Sequence, residues 1–386
     1  MNNKPRILFF VGSPITSTAL IARVGILAKY LIKDGYEVKI TCVGDDYYNL
    51  DKKICFEGET IEIIGQSHYY IRNNEKIPLS APKYLLEIFK TIHRFKKFAK
   101  DYKPDIIQTF ASTPVSLFIA YHLKSKYNVS MDIDDLTVEQ AKKAGRSGAI
   151  IKLLDFLEKY IPKQIRLISV NSDFLKDRYP NSVKIPNMFE TKRFRLKLNE
   201  KEKNKIRKKY NIDKNTIAFM SSISLYHGHF QMLKHIKNTN KKFIFIGGGE
   251  GETKLKEEIK KLGIEKQIVI TGKIPQIEAI KIMNSLKIGI LPLWDEPIHL
   301  ARHPLKLVEY LASGLCVTAC NVGEVKYCIN NKNGILVPPG DIKALIDKSV
   351  SIKNTDKLAM KGLKKADDFD ASKLIKDWEQ FYDRIL

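Results

Sequence analysis

Residues 302–319 read "RHPLKLVEYLASGLCVTA". A proline at a helix start, a run of good helix formers and a stop glycine precede a β-branched run, so the pattern is helix, turn and buried strand. Arg302, Lys306 and Glu309 are spaced i, i+4 and i+7, which places them on one side of the expected helix. Helix N-termini carry partial positive charge and unpaired N–H groups. Pro304 in the first turn, with Arg302 before it and Lys306 just inside, therefore makes an anion site suited to a diphosphate. Glu309, one turn deeper, offers the acceptor-only group that a ribose diol needs. The competing reading is a surface Lys306–Glu309 pair at i, i+3, worth only a few tenths of a kcal/mol.

The same grammar extends outward in both directions. "RILFFVG", "EVKITCV", "PDIIQTF", "VSMDID" and "IRLISVN" read as strands. Between them, helices are expected from Ala19 to Asp34, from Pro82 to Asp101, through "IIKLLDFLEKYI" and around Phe174. A very basic connector follows, with ten Lys and Arg from Lys192 to Lys209 against Glu200 and Glu202. The pattern then restarts with "TIAFMSS", "KFIFIGGG", "QIVITG", "IGILPL", "LCVTAC" and "GILVPP". Strands alternating with helices argue an α/β fold with two doubly wound parallel sheets. The expected division is a first domain over 1–188, a second over 189–365, and a closing helix over 366–386 that packs back on the first.

Composition bounds the partners. The 386 residues suit two domains, and 66 Lys+Arg against 43 Asp+Glu give a net charge of +23. That excess implies attraction to something anionic: a phosphorylated substrate, nucleic acid or an acidic lipid surface. Hydrophobic residues at 44% and charged residues at 28% are globular proportions. The five cysteines, Cys42, Cys55, Cys316, Cys320 and Cys328, contain no CxxC pair, so a reducing cytoplasm fits. Cys316, Cys320 and Cys328 read as small buried hydrophobes. The N-terminal apolar run is shorter than a signal-peptide core. Residues 106–123 lack Asp, Glu, Lys and Arg but carry Gln108, Thr109, Ser112, Thr113, Pro114 and Ser116, so they read as strand, turn and helix start rather than as a membrane span.

Three other stretches invite a site. In open α/β sheets ligands bind beyond the carboxyl ends of the strands, where "FIFIGGGEGE" places Gly247, Gly248, Gly249 and Glu250. Glycines there let a phosphate or sugar approach backbone amides; the alternative is a plain strand-to-helix turn. In "MDIDDL", residues 131–136, Asp132, Asp134 and Asp135 suggest a divalent metal, a cap for the next helix, or contact with a substrate. The stretch 82–104 puts Leu85, Phe89, Ile92 and Phe95 near one face with seven basic residues against Glu87 and Asp101. It reads as a sheet-covering helix or as a helix lying on an anionic bilayer.

The run "HPLKLVEYLASGLCVTA", followed by "VGEVKYCINNKNGILVPPGD", resembles the nucleotide-sugar site of the group-one (family four) glycosyltransferases. "ILFFVGSPITSTALIARVGILAKYLIKDGYEVKI", "KPDIIQTF", "IPNMFETKRF", "FIFIGGGEGETKLKEEIKKLGIEKQIVITGKI" and the closing "FDASKLIKDWEQFYDRIL" extend the resemblance over nearly the whole chain. It implies the GT-B fold, two Rossmann-like domains facing across a cleft, and retaining sugar transfer from a nucleotide-diphosphate sugar, with no metal or cofactor required. Glu309 matches the second Glu of the family's E-x7-E motif, which holds the donor ribose, and Ala301 stands where the first would be. The family's Arg and Lys on the diphosphate are replaced by Ser222 and His227, and the histidine after its "PD" strand by Gln108 and Phe110.

The helix mouth and the resemblance together give the expected roles, Arg302 and Lys306 standing in for the replaced loop cations: Lys306, Arg302 and Asp134 in catalysis; Glu309, Gly247, Gly248, Gly249, Glu250, Ile274, Leu305 and His227 around the donor; Ser13, Thr16, Ser17 and Thr18 around the acceptor. The implied acceptor is a glycan or lipid-linked glycan, the implied place is the cytoplasm or the inner face of its membrane, and no nucleic acid is expected. Three rivals remain: an epimerase or phosphorylase sharing the donor site; a noncatalytic basic scaffold; and a dinucleotide oxidoreductase, disfavoured because the first strand runs into "VGSPITS" rather than GxGxxG.

Overall fold

The computed structural model describes residues 4–13, 21–44, 47, 53–56, 59–65, 67, 69–72, 75–224 and 228–386. The chain divides into two compact units. Unit 1 holds Met1–Met188, Ala301–His303 and Ala371–Leu386; unit 2 holds Phe189–Leu300 and Pro304–Asp370.

The strands of unit 1 are β1 (Arg6–Val11), β2 (Glu37–Val43), β3 (Lys53–Phe56), β4 (Glu59–Gly65), β5 (Tyr69–Arg72), β6 (Glu75–Pro78), β7 (Ile106–Phe110), β8 (Asn128–Ile133), β9 (Leu167–Val170) and β10 (Val183–Lys184). Eight of them form one sheet in the order β10-β9-β8-β7-β1-β2-β4-β3, parallel except for β3, and β5 and β6 form a separate hairpin. The sequence reading assigns no strands between "EVKITCV" and Pro82. Those four short strands mix polar and apolar residues without the long runs that mark buried parallel strands.

Helices relevant to function in this unit are α1 (Ile26–Lys33), α2 (Ala81–Tyr102), α3 (Pro114–Leu123) and α4 (Gly148–Tyr160). Strand β1 shows why "ILFF" is apolar throughout. Leu8 and Phe10 pack on one side with Ile92 and Phe95 of α2, and Ile7, Phe9 and Val11 pack on the other with Leu27 and Leu31 of α1. Each such side chain contributes about 1.5–3 kcal/mol on burial. The apolar face expected on α2 is divided in the structure: Ile88, Ile92, Phe95 and Ala99 are buried, whereas Leu85 and Phe89 point outward. The expected helix Ala19–Asp34 is described from Ile21 onward, opening with a π-helical turn, Ile21–Gly25.

Unit 2 contains β11 (Ile217–Met220), β12 (Phe243–Ile246), β13 (Ile268–Ile270), β14 (Ile288–Leu291), β15 (Cys316–Cys320) and β16 (Ile335–Val337), all parallel, in the order β13-β12-β11-β14-β15-β16. Two helices matter here, α5 (Glu252–Leu262) and α6 (Leu305–Ala312). The basic connector is itself helical over Glu200–Lys209, started by a capping box between Asn199 and Glu202. The last helix, α7 (Ala371–Asp383), belongs to unit 1 and buries Ile375, Trp378, Phe381 and Tyr382 against β1 and α1. Cys42, Cys316, Cys320 and Cys328 are buried, and burial pushes the Cys316 thiol up to about 12. Among the described residues, no helix is long and apolar enough to cross a membrane.

A buried ion pair joins distant parts of unit 1. Arg23 donates from Nε to Asp132 Oδ2 at 2.5 Å, from Nη2 to Asp132 Oδ1 at 2.6 Å, and from Nη1 to Asn187 Oδ1 at 2.7 Å. Its guanidinium lies 5.4 Å from the ring centre of Trp378 on α7. Breaking one partner of such a pair leaves a buried uncompensated charge, at a cost of about 3–5 kcal/mol, whereas replacing both by apolar groups is often nearly neutral. Asp132→Asn is thus expected to lower the unfolding midpoint strongly, and Arg23→Met with Asp132→Leu to recover most of that loss. Denaturant titration followed by Trp fluorescence checks both; equal midpoints for the parent and Asp132→Asn would contradict a structural role for the pair.

Candidate active site

In a parallel sheet wound from its middle outward in both directions, the ligand crevice opens beyond the carboxyl ends of the two strands where the order reverses. In unit 2 those strands are β11 and β14. The segment after β11, Ser221–Ser224, touches two neighbouring loops. Ile223 donates its N–H to Gly248 O at 3.2 Å, and Gly251 donates to Ile223 O at 3.0 Å. Gly247 donates to Thr271 Oγ1 at 3.0 Å and forms a bridge with Gly272.

The glycines of "IGGGEG" have a packing cause. A Cβ on Gly247 would stand 2.3 Å from Ser221 O, one on Gly248 would stand 2.7 Å from Lys273 N, and one on Gly249 would stand 2.4 Å from Ile223 O. Gly247 also has φ of 135°, which L side chains rarely adopt. The sequence reading aims these glycines at a ligand. In the structure, the space a side chain would need is taken by the backbones of the neighbouring loops. Gly249 and Glu250 are exposed, and Ile274, after β13, is half-buried.

Helix α6 brings the cation to the same strand end. Leu307, Val308, Tyr310 and Leu311 are buried, and Tyr310 Oη accepts from the N–H of Met220 at 2.5 Å, so the helix is fixed against β11. That leaves Leu305, Lys306 and Glu309 half-buried. Lys306 Nζ donates to Ser221 Oγ at 2.9 Å, in the loop after β11. Burial pushes the Glu309 carboxyl up to about 7, against the opposing pull of Lys306. A cation one turn from a carboxyl that titrates near neutrality is suited to a polyanion beside a hydroxyl-bearing group.

Arg302 stands before the helix, as expected, but its guanidinium is engaged by an acid of unit 1. Helix α6 begins at Leu305, and Arg302 lies in the segment Ala301–His303, which belongs to unit 1. There its Nε donates to Asp135 Oδ2 at 2.8 Å, and its Nη2 bonds the same oxygen. The segment is held further by Ser172 Oγ, which donates to Ala301 O at 3.0 Å. Arg302, Lys306 and Glu309 therefore do not form one helical stripe, because the helix starts after Pro304.

In unit 1 the order reverses between β1 and β7. Gly12 and Ser13 follow β1, and a Cβ on Gly12 would stand 2.1 Å from Thr113 Oγ1 and 2.2 Å from Ser116 Oγ, so only glycine lets β1 end against the start of α3. Ser13 is half-buried there, while Thr16, Ser17, Thr18 and, in unit 2, His227 lie outside the described residues.

The three acids of "MDIDDL" have separate environments. Asp132 is paired with Arg23 and also accepts from Ser169 Oγ at 2.6 Å. Asp135 is paired with Arg302. Asp134 is half-buried, and burial together with its acidic neighbours pushes it up to about 6, Arg23 opposing. Two of the three carboxylates are thus already engaged by guanidinium groups, and no group of three or more His, Cys, Asp or Glu among the described residues is placed to hold a metal ion. At the start of the next helix, Thr137–Lys143, Asp135 Oδ1 accepts from Leu136 N at 2.8 Å, Ser112 Oγ from Thr137 N at 3.2 Å and Glu158 Oε1 from Val138 N at 3.2 Å. Ser221, Arg23 and Glu158 were missed in the sequence; Arg23, alone in the apolar "LIARVGIL", was the one with a visible signal.

Residues 201–368 match the family described as Glycosyl transferases group 1. The chain has the GT-B fold, with a Rossmann-like parallel sheet in each unit. It is 24% identical over 371 residues to an uncharacterized glycosyltransferase of Methanocaldococcus jannaschii, covering 82% of this chain and 88% of that relative. Sucrose-phosphate synthase from Thermosynechococcus elongatus is similar with a TM-score of 0.78 at 16% identity, covering 99% of each chain. Anabaena HepE in complex with UDP is similar with a TM-score of 0.74 at 14% identity, covering 98% of this chain and 100% of that one. The family match and the resemblance read from "HPLKLVEYLASGLCVTA" fall on the same half of the chain.

Linkage turns the Glu309 environment into a stability test. A carboxyl at about 7 in the folded state, against 4.5 ordinarily, stays protonated longer when folded, so its contribution to stability falls as pH rises from about 4.5 through about 7. Glu309→Gln removes this term. The variant is expected to gain stability over the parent at pH 8 and to show a smaller gain at pH 5, read by denaturant unfolding. A difference independent of pH would contradict the raised carboxyl.

Proposed function

We propose that the protein is a glycosyltransferase of the hexosyltransferase type that moves a sugar from a nucleotide-diphosphate sugar to a hydroxyl of a glycan or lipid-linked glycan, with retention of configuration. The observation that carries this reading is Lys306, held at the start of α6 on Ser221 Oγ at the carboxyl end of β11, with Glu309 one turn deeper, inside the residues that match the family. The nucleotide sugar is the donor substrate, and no metal or other cofactor is required. Five cysteines without a CxxC pair support a reducing, cytoplasmic setting.

In the transfer, the bond between the anomeric carbon and the diphosphate oxygen breaks with its electron pair leaving on the diphosphate. A bond forms to the acceptor oxygen, and the acceptor hydroxyl loses its proton. Negative charge therefore develops on the leaving group, and Lys306 with the N–H groups at the start of α6 stabilises it, the electrostatic contribution that such a step needs most. Glu309 accepts from the ribose diol, while Gly247–Glu250, Ile274 and Leu305 line the donor. Arg302, engaged by Asp135, serves to hold that acid rather than the diphosphate. On the acceptor side, Asp134 at about 6 is matched to taking up a proton near neutral pH, and Ser13 adds a hydrogen-bonding group.

Two measurements test the donor half. Screening nucleotide sugars for thermal stabilisation should identify the donor, since a ligand at 100 times its dissociation constant adds about 2.7 kcal/mol. Lys306→Ala should then lower kcat/KM by about 10- to 150-fold, the scale of one charge-assisted hydrogen bond, and Glu309→Gln should weaken donor affinity in calorimetry. Turnover within twofold of the parent for Lys306→Ala would assign the diphosphate to another group. A chain that binds no nucleotide sugar would be a noncatalytic GT-B scaffold.

The acceptor half is tested separately. Activity is expected to persist in EDTA, and Asp134→Asn to cost about 10²–10⁴ in rate with donor affinity unchanged. Restoration of a chelated enzyme by Mg or Mn would refute metal-free transfer, and parental acceptor kinetics in Asp134→Asn would remove that residue from the mechanism.

A further inference from the structure

We propose that unit 1 docks on an anionic lipid bilayer through the outward faces of α2, α3 and α4. Large apolar side chains scattered singly over a surface need no explanation, but a concentration of them does. Of the twelve exposed large hydrophobic residues among those described, eight lie on these three helices. The helices are neighbours, α2 packing on α3 and α3 on α4, so the side chains belong to one surface of one unit.

Helix α4 is the clearest case because it is apolar on both sides. Leu154 and Leu157 face the core, yet Ile150, Leu153, Phe156 and Tyr160 face out at the spacing of a single helical stripe. Phe156 is 59% exposed, and its ring stacks on that of Tyr160 with centroids 5.6 Å apart. Helix α2 repeats the pattern at its start, where Leu85, Leu86 and Phe89 point outward, Phe89 being 65% exposed. A helix that only covered a sheet would carry polar residues at these positions.

Charge selects the occupant. Arg94, Lys96, Lys97 and Lys100 continue the outward side of α2, and Lys152 stands beside Leu153 on α4. Of the acids on these helices, Glu87 is buried and bonded to Lys90 at 2.8 Å, Asp155 is paired with Lys159 at 2.6 Å, and Asp101 is exposed at the end of α2, beside Lys100 and Lys103. A second copy of this chain, at +23, would bring a like-charged face against this one. Single-stranded nucleic acid would use aromatic stacking, to which Leu85, Leu86, Ile150 and Leu153 contribute nothing. An acidic bilayer satisfies both features, apolar side chains entering the acyl boundary while Lys and Arg meet the headgroups. The stretch 82–104, read from sequence as a helix that lies on such a surface, is then one rim of a wider face centred nearer α4.

The test is cosedimentation of the full chain with vesicles of phosphatidylcholine alone and of phosphatidylcholine with about 30% phosphatidylglycerol, an anionic-leaflet composition. The parent should partition onto the anionic vesicles, weakly onto the neutral ones, and less at high salt. Leu153→Asp with Phe156→Asp alters only outward side chains, so thermal unfolding should hold while partitioning falls by at least about tenfold. Lys96→Glu with Lys97→Glu should reduce both binding and its salt dependence. Met360→Asp, an equally exposed apolar residue of unit 2, should change nothing. Equal binding to both vesicle types, or parental binding by the α4 variant, would overturn the proposal. So would a concentration-dependent dimer in sedimentation velocity, or retention of nucleic acid, that the α4 variant abolishes. No arm reads sugar transfer, so the result is independent of the catalytic reading.

Discussion

Parallel strand pairing is the constraint from which the geometry of each unit follows. A parallel sheet needs a crossover after every strand, so all its strands deliver their carboxyl ends to one edge. In unit 2 the order β13-β12-β11-β14-β15-β16 opens that edge between β11 and β14. Everything chemically useful in the unit is then a consequence of what three adjacent loops and one helix start can place there. The loops after β11, β12 and β13 are packed on each other so closely that three successive glycines are required on the middle one. At that strand end Ser221 Oγ accepts from Lys306 Nζ, which ties the start of α6 to the loop after β11.

Much of this was legible because it rests on local pattern. The six strands of unit 2 coincide with six apolar runs, and the 302–319 stretch does form a helix, a glycine turn and a buried strand. What was not legible depended on tertiary choice. "IGGGEG" looks the same whether the glycines make room for a ligand or for another loop, and only the approach of Ser221 and Ile223 decides between them. Arg302 was read as standing just before the helix, and it does, but spacing does not say which partner its guanidinium finds; it lies in a three-residue segment of unit 1 and pairs with Asp135. The outward apolar stripe of α4 escaped the sequence reading for a related reason. A helix apolar on both sides shows no clear period, and its two faces separate only once the sheet has claimed one of them.

The acidic triplet shows how one short run can be given three different tasks by its surroundings. Three carboxylates within four residues repel one another, and burial adds a solvation cost to each charge. The fold meets this at Asp132 by bringing Arg23 from another helix, with Ser169 and Asn187 completing the bonds. At Asp135 it brings Arg302, in the segment Ala301–His303 of the same unit. With its two neighbours neutralised by partners of their own, Asp134 retains the consequences of burial and of their residual field, and its carboxyl stands at about 6. Such a group exchanges a proton near neutral pH. The paired acids thus set the environment of the third: the guanidinium groups hold Asp132 and Asp135 in place, and the cost of burial that remains falls on Asp134.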